Sequence, residues 1–319
     1  MKAVLGIDTS CYRTSLAIAG DGAVYADERR LLQVPAGHRG LRQSEALFQH
    51  VGHLGELSRR ALEKAGTVDI GAVCVSSRPR PVEGSYMPVF MAGLMAAQCM
   101  ASVLKVPLLE TSHQQGHLRA ALLGSGFAPV GEFMALHVSG GTTELLRCTH
   151  DLKEIRVIGG TLDLHAGQLV DRIGVMLGLE FPAGPMLEEL AGPEPQRPSV
   201  PTAAKGADIS LSGAENRIKG MIASGSAPSA VAAELYSFLE RSLGKMIEAG
   251  CAGTGLGDIL ITGGVAASVR LRRTLERRLK KRGALVNVYW GQPALSGDNA
   301  VGVALLGMDL LKEKEVWGT

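Results

Sequence analysis

One piece of sequence grammar occurs twice, and it limits the folds open to this chain more than any other feature. Val4–Asp8 reads as an apolar strand, Thr9-Ser10-Cys11-Tyr12-Arg13 as a polar turn and Thr14–Ala19 as the returning strand. Met134–Val138, Ser139-Gly140-Gly141-Thr142 and Thr143–Arg147 repeat that order in the second half. Two such units predict two lobes of one plan. A length of 319 residues exceeds what one compact core holds and suits the division. The expected lobes are residues 1–128, with a C-terminal helix over 298–319 packing back on them, and residues 129–297.

A third unit follows. Asp258–Thr262 is an apolar strand, Gly263-Gly264 a turn and Val265–Lys281 a helix. That arrangement presents backbone N–H groups to a phosphate or sugar. Three such turns in this order predict a two-lobed α/β fold of the actin, Hsp70 and sugar-kinase (ASKHA) architecture. Its lobes are duplicated and ribonuclease-H-like, and an adenine nucleotide is expected between them. Three ordinary α/β turns are the alternative. Aromatics are only 4% of the chain and glycines number 41, which implies an aliphatic core with many tight turns. Gly184 to Gly206 reads as loop, Ala207–Ser212 as a short strand and Ala227–Ala249 as an amphipathic helix. The last helix is expected to begin near Asp298, capped by Ser296 or Asp298, and to run to Glu313.

The net charge of +2 neither demands nor excludes a nucleic-acid partner. Five scattered cysteines without a CxxC pair argue against a disulfide framework or a thiolate zinc site, and fit a reducing cytoplasm. The N-terminal apolar run is too short for a signal peptide and meets Asp8 at once. Tyr86–Leu104 is long enough to approach a bilayer span, but Gly, Ala and Met dilute it; a buried helix and no membrane are expected.

Ser112 is a good helix cap, and His113 and His117 then stand four apart on one helical face, where they can share a metal. A HExxH peptidase would need a glutamate as general base. That position is Gln114, which takes no proton from water, so metallopeptidase chemistry is disfavoured. Two histidines are too few ligands, and a third must come from elsewhere. Arg270–Arg282 carries eight basic residues and one acid, Glu276, over a stripe of Leu271, Leu275 and Leu279. A solvated basic face and an RNA-contacting one explain it equally well.

Taken together, these motifs resemble the TsaD/Gcp family of tRNA threonylcarbamoyladenosine-modifying proteins, formerly described as O-sialoglycoprotein endopeptidases (peptidase M22). The resemblance runs along nearly the whole chain. Leu5-Gly6-Ile7-Asp8-Thr9-Ser10-Cys11 resembles the opening motif, which usually has Glu where Asp8 stands. His113 and His117 resemble the HxxxH motif, and Val138-Ser139-Gly140-Gly141-Thr142-Thr143 the central VSGGxT turn. Gly167, Asp171 and Phe181-Pro182-Ala183-Gly184-Pro185 resemble the nucleotide-side segment, and Ser210-Leu211-Ser212-Gly213 the SFSG motif. Thr262-Gly263-Gly264-Val265 and Asp298-Asn299 resemble the last two.

The resemblance implies one divalent metal, zinc or iron, held by His113, His117 and Asp298. His137, where some members carry a tyrosine, is a candidate fourth ligand. It implies an adenine nucleotide (ATP, AMP or an acyl-AMP). Ser139, Gly140, Gly141 and Thr142 would meet its phosphate end, and Asp171 its ribose, with Gly184 allowing close approach. Gly263, Gly264 and Ser268 would cover the nucleoside. In the family, threonylcarbamoyl-AMP gives its carbamoyl group to N6 of a tRNA adenine. Implied partners are tRNA and a TsaB-type paralogue or a second copy on the N-terminal lobe, with a TsaE-type ATPase in bacteria.

The chain also departs from the pattern. The opening motif continues CDET in the family and Cys11-Tyr12-Arg13-Thr14 here, so two carboxylates become a phenol and a guanidinium. Arg13 stays protonated and cannot act as a base, but can clamp a phosphate or carboxylate. Ser268 replaces an Asn, Gln168 a Glu and Glu215 a Lys, and Arg78–Gly84 replaces a Gly-Pro-Gly-Leu loop. Gly40–Glu45 is unusual where the family contacts tRNA and partners. The expectation is a divergent paralogue with Asp8 and Arg13 as candidate catalytic residues. It is either a carbamoyl-type transferase with altered chemistry or a nucleotide-binding scaffold. An actin-fold kinase or ATPase is a weaker third, because Asp8 alone would have to hold Mg²⁺ and activate an acceptor.

Overall fold

The computed structural model describes residues 2–10, 12–20, 22–34, 41–192, 198–283 and 285–317; Cys11 of the opening motif and Gly40 lie outside them. The chain divides into two compact units, Met1–Leu123 with Gly297–Thr319, and Gly124–Ser296. The first division thus falls five residues before the expected 128/129 boundary.

The first unit contains β1 (Lys2–Asp8), β2 (Arg13–Gly20), β3 (Ala23–Leu31), α1 (Gln43–Ala65), β4 (Asp69–Arg78), α2 (Phe90–Leu104), β5 (Leu108–Ser112) and α3 (His113–Leu122). The second contains β6 (Phe133–Val138), β7 (Thr143–Cys148), β8 (Ile155–Gly160), α4 (Ala166–Met176), α5 (Gly184–Ala191), β9 (Ala203–Lys205), β10 (Asp208–Ser210), α6 (Ser212–Ala223), α7 (Pro228–Thr254), β11 (Asp258–Thr262), α8 (Val269–Lys281) and β12 (Asn287–Trp290). The closing helix α9 (Val301–Trp317) returns to the first unit.

The two five-stranded sheets share one plan. The first runs β3-β2-β1-β4-β5 and the second β8-β7-β6-β11-β12. In each, three antiparallel strands are followed by two parallel ones. Alternation along β1 decides what covers each face. Leu5 and Ile7 join Leu54, Leu57, Ala92 and Ala97 of α1 and α2. Val4 turns the other way, into a cluster with Val303, Met308 and Leu311 of α9.

Four expectations need correction. Gly184 to Gly206 is not all loop: Pro185 stands in the first turn of α5, which buries Leu187 and Ala191 four residues apart. Val265–Lys281 is not one helix, because a 3-10 turn at Val265–Ala267 precedes Ser268, whose Oγ caps α8 by accepting the Leu271 N–H at 3.1 Å. The last helix starts at Val301, and its cap is Asn299, whose Oδ1 accepts from the Val301 and Gly302 amides. Tyr86–Leu104 is not a fully buried helix: α2 starts only at Phe90 and buries one face while Met91, Met95 and Val103 are exposed. Among the described residues no helix is long and apolar enough to cross a membrane.

Candidate metal centre and nucleotide-binding turns

Each ligand candidate of the first unit is placed by a local device. Ser112 ends β5 and caps α3 in a reciprocal box with Gln115, so His113 is the first helical residue and His117 lies one turn on. Asp298 precedes the Asn299 cap of α9, outside the helix, which leaves its carboxylate free to face the histidines. His113 Nε2 and His117 Nε2 are 3.0 Å apart, and Asp298 Oδ1 lies 3.7 and 3.4 Å from them. Ligand atoms about 2.0–2.1 Å from a tetrahedral ion stand about 3.3 Å from one another. The three atoms therefore fit one ion, and the two-imidazole, one-carboxylate set suits a borderline metal.

Behind the trio stands Asp8, which is fully buried. One oxygen accepts from the Ser10 amide at 2.8 Å and the Ser10 hydroxyl at 2.5 Å. The other accepts Nδ1–H of His113 at 2.8 Å. This carboxylate–histidine bond fixes the tautomer that turns Nε2 toward Asp298. Sequence reasoning singled out Asp8 for catalysis and missed this partnership, because nothing in the sequence joins residues so far apart.

The electrostatics favour a cation. Burial alone would raise the Asp8 pKa, but His113 and Ser10 outweigh it and hold Asp8 below the ordinary range. Burial likewise opposes Asp298, and the histidines and Arg13 overcome it. Burial lowers His113, whereas Asp8 and Asp298 draw it up to about 9. Arg13, at the start of β2, donates from Nη1 to the Asp298 carbonyl at 3.3 Å. Its approach uses the space beside Gly297, where a Cβ would lie 3.2 Å from Nη1. The neighbouring Tyr12 is exposed.

A second histidine pair lies in the same unit. Thr14 Oγ1 is 2.9 Å from His50 Nδ1 and 3.1 Å from His53 Nδ1, so the hydroxyl can donate to one and accept from the other. Burial pushes His50 from 6.5 down to about 4, against the pull of Asp8 and with the help of His53. The folded value is depressed, so the stability from burying neutral His50 is complete above pH 6.5. It is lost as pH falls from 6.5 toward 4. His50→Gln should flatten the acid side of the Tm–pH curve in that window. An acid limb of unchanged slope would show that other groups set it.

In the second unit the Ser139–Thr142 turn leaves β6, and Gly263-Gly264 leaves the adjacent parallel strand β11. Both turns thus lie at the carboxyl ends of neighbouring strands, the usual ligand edge of an α/β sheet. The turn closes by Ser139 N–H donating to Thr142 O at 2.7 Å; Gly140 and Gly141 are exposed. Gly263 has φ +105°, and a Cβ there would meet the Val138 carbonyl at 2.3 Å, so glycine is required. His137 is a buried residue of β6, paired with Glu144 and Thr262. Asp171 accepts the Ala183 amide at 2.9 Å and so fastens the segment containing Gly184, whose carbonyl accepts Tyr236 Oη–H at 3.1 Å. Ser268 is committed to capping α8.

Asp163 is a residue the sequence did not bring forward. It gathers the Leu211 and Ser212 amides and the Ser210 and Ser212 hydroxyls, and so fixes the SFSG-like segment. Glu215, where the family pattern has a cation, pairs with Lys219 and Arg172.

A family model described as TsaD, tRNA N6-adenosine threonylcarbamoyltransferase, matches residues 33–305. A tRNA N6-adenosine threonylcarbamoyltransferase from Methanopyrus kandleri is 31% identical over 309 residues, covering 95% of this chain and 86% of the relative. Full-length HypF in a phosphate- and nucleotide-bound form superposes with TM-score 0.63 at 13% identity, over 98% of this chain and 47% of HypF. A ROK-family glucokinase from Streptomyces griseus, in complex with glucose and AMPPNP, superposes with TM-score 0.53 at 12% identity, over 95% and 98%. These structures show the fold alone, the two-lobed α/β architecture of actin-like proteins and sugar kinases. With the family model spanning most of the sequence, the chain belongs to the TsaD, or tRNA N6-adenosine threonylcarbamoyltransferase, family.

Proposed function

We propose that this protein binds one divalent metal through His113, His117 and Asp298, together with an adenine nucleotide of the acyl-AMP kind, and that Arg13 gives its reactive end an altered chemistry. The observation that carries this reading is the His113–His117–Asp298 trio backed by the Asp8–His113 bond. A metal there would supply Lewis-acid polarisation of a ligand oxygen. Asp8, fully buried, orients His113 through one oxygen while the other accepts from Ser10. The Ser139–Thr142 and Gly263-Gly264 turns offer backbone amides at the strand ends for the phosphate and the nucleoside. Asp171, its pKa raised by burial, stands beside Gly184 for a ribose hydroxyl. His137 remains the candidate for a further ligand.

Transfer of a carbamoyl group forms a bond from the carbamoyl carbon to adenine N6 and breaks its bond to the adenylate oxygen. AMP leaves, and N6 gives up a proton. Arg13 cannot accept that proton, since a guanidinium remains charged. It can hold an oxyanion of the donor. Arg13→Gln should therefore weaken AMP binding about 10- to 100-fold, the loss of one charge-assisted hydrogen bond, while adenosine binding changes little. Equal losses for AMP and adenosine in calorimetry would remove Arg13 from the anion site.

The second reading, nucleotide binding without transfer, is favoured by the engagement of Asp8 and the absence of acids at Tyr12 and Arg13. Incubation with threonylcarbamoyl-AMP and unmodified tRNA separates the two. Modified adenosine in digested tRNA supports transfer. AMP binding without modification supports a scaffold, and gain of transfer in Tyr12→Asp/Arg13→Glu would locate the cause. For partners, the exposed Phe48 and Val51 of α1 and Met91 and Met95 of α2 support docking of a TsaB-type paralogue or a second copy on the first unit.

A further inference from the structure

The basic helix α8 is built into the second unit in a way that leaves a row of cations facing water. Leu271, Leu275 and Leu279 are buried in the core of that unit, and Ser268 caps the helix start. The inner cations are consumed by structure. Arg270 donates to the Ala191 and Gly192 carbonyls, and Arg272 to those of Ala266 and Gly291 while lying over the Trp290 ring. Glu276, the only acid of the helix, accepts the Trp290 indole N–H at 2.5 Å and is thereby turned to packing.

What remains outside is Arg273, Arg277, Lys280, Lys281 and Arg282, all exposed. Arg282 approaches Glu248 only at 3.8 Å. Arg277, Lys280 and Lys281 form no ion pair among the described residues. Positions 273, 277 and 280/281 follow the four-and-three spacing of one helical face, with charges roughly 6 Å apart along the axis. Cations in the last turn also complement the helix dipole, but that effect fades within one turn and does not account for Arg273 and Arg277. The chain as a whole carries only +2, so the sequence outside this helix is net acidic and the positive charge is concentrated here.

We propose that the exposed face of α8 binds the phosphodiester backbone of RNA without reading its bases. The choice of RNA among polyanions rests on the function proposed above; the surface itself does not require the metal or the nucleotide. The face carries no exposed aromatic side chain for base stacking, and its one neighbouring indole is covered by Arg272.

The test is fluorescence anisotropy of a labelled single-stranded RNA 20-mer and of bulk tRNA, titrated with the full-length protein from 50 to 300 mM KCl. Arg277→Gln/Lys280→Gln/Lys281→Gln should weaken binding at 100 mM KCl at least about tenfold. It should also lower the slope of log K against log salt by about two, at roughly 0.7 per cation on single strands. Lys105→Gln/Arg156→Gln/Lys205→Gln removes the same charge elsewhere and should stay within about twofold of wild type. Equal losses in both triple variants, or no RNA binding by wild type at 50 mM KCl, would overturn the proposal. So would loss of binding to phosphatidylserine vesicles with RNA binding intact. AMP and metal binding are measured on the same triple variant. Their persistence alongside lost RNA binding supports the α8 face, whereas their absence in wild type counts against the proposed metal and nucleotide reading alone.

Discussion

His117→Ala should strip the protein of bound zinc or iron, with affinity falling by more than about 100-fold in a chelator competition. Only three side chains of the first unit converge at ion-binding spacing among the described residues, and removing one leaves a single imidazole and a carboxylate. Losing the hydrogen-bond partner behind a metal-bound histidine costs about 10- to 100-fold, so Asp8→Asn should fall in that lower range. The two effects together distinguish a ligand from its support. His137→Ala is the informative control: a loss as large as that of His117→Ala would make it a ligand, and no loss would remove it from the set. A proton signature should accompany binding. His113 holds its proton up to about pH 9, so an ion entering at pH 7 must displace it. Affinity should then climb about tenfold per pH unit from 7 to 9 and level off above. Metal binding that is flat with pH would mean that His113 is not displaced.

Gly302→Ala should be the most damaging small substitution away from the ligands. A Cβ at Gly302 would lie 1.8 Å from the Gly116 carbonyl oxygen and 2.7 Å from the Ala120 amide, so α3 and α9 touch backbone to backbone. Neither partner is a flexible side chain that can move aside. Overpacking of this kind costs about 3 kcal/mol or more and, over a chain of 319 residues, should lower Tm by roughly 5 °C. The effect should reach the metal trio, because Gly116 lies between His113 and His117, and the Gly302 amide donates to the Asn299 cap that follows Asp298. Metal affinity should therefore drop in Gly302→Ala even in the fraction that remains folded. A destabilised variant with wild-type metal affinity would show that the α3–α9 contact and the trio are independent.

Much of this protein was legible from residue order. The doubled strand–turn–strand unit and the parallel strand before Gly263-Gly264 follow from apolar runs bounded by polar or glycine turns, and the sheets contain them. Ser112 as a cap, with two histidines on one helical face, follows from helix periodicity alone. Local signals failed where two of them competed. Ser296 and Asp298 both read as caps, but in the fold Asn299 takes the Val301 and Gly302 amides and Asp298 faces the histidines. Ser268 interrupts what reads as one long helix, because its hydroxyl captures the Leu271 amide. The pairing of Asp8 with His113 joins the end of one strand to the start of a helix far along the chain, and depends on the parallel order of β1, β4 and β5. Periodicity and caps report on neighbours within a turn or two of the backbone. Which carboxylate meets which imidazole is a long-range matter, settled by sheet order and close helix packing.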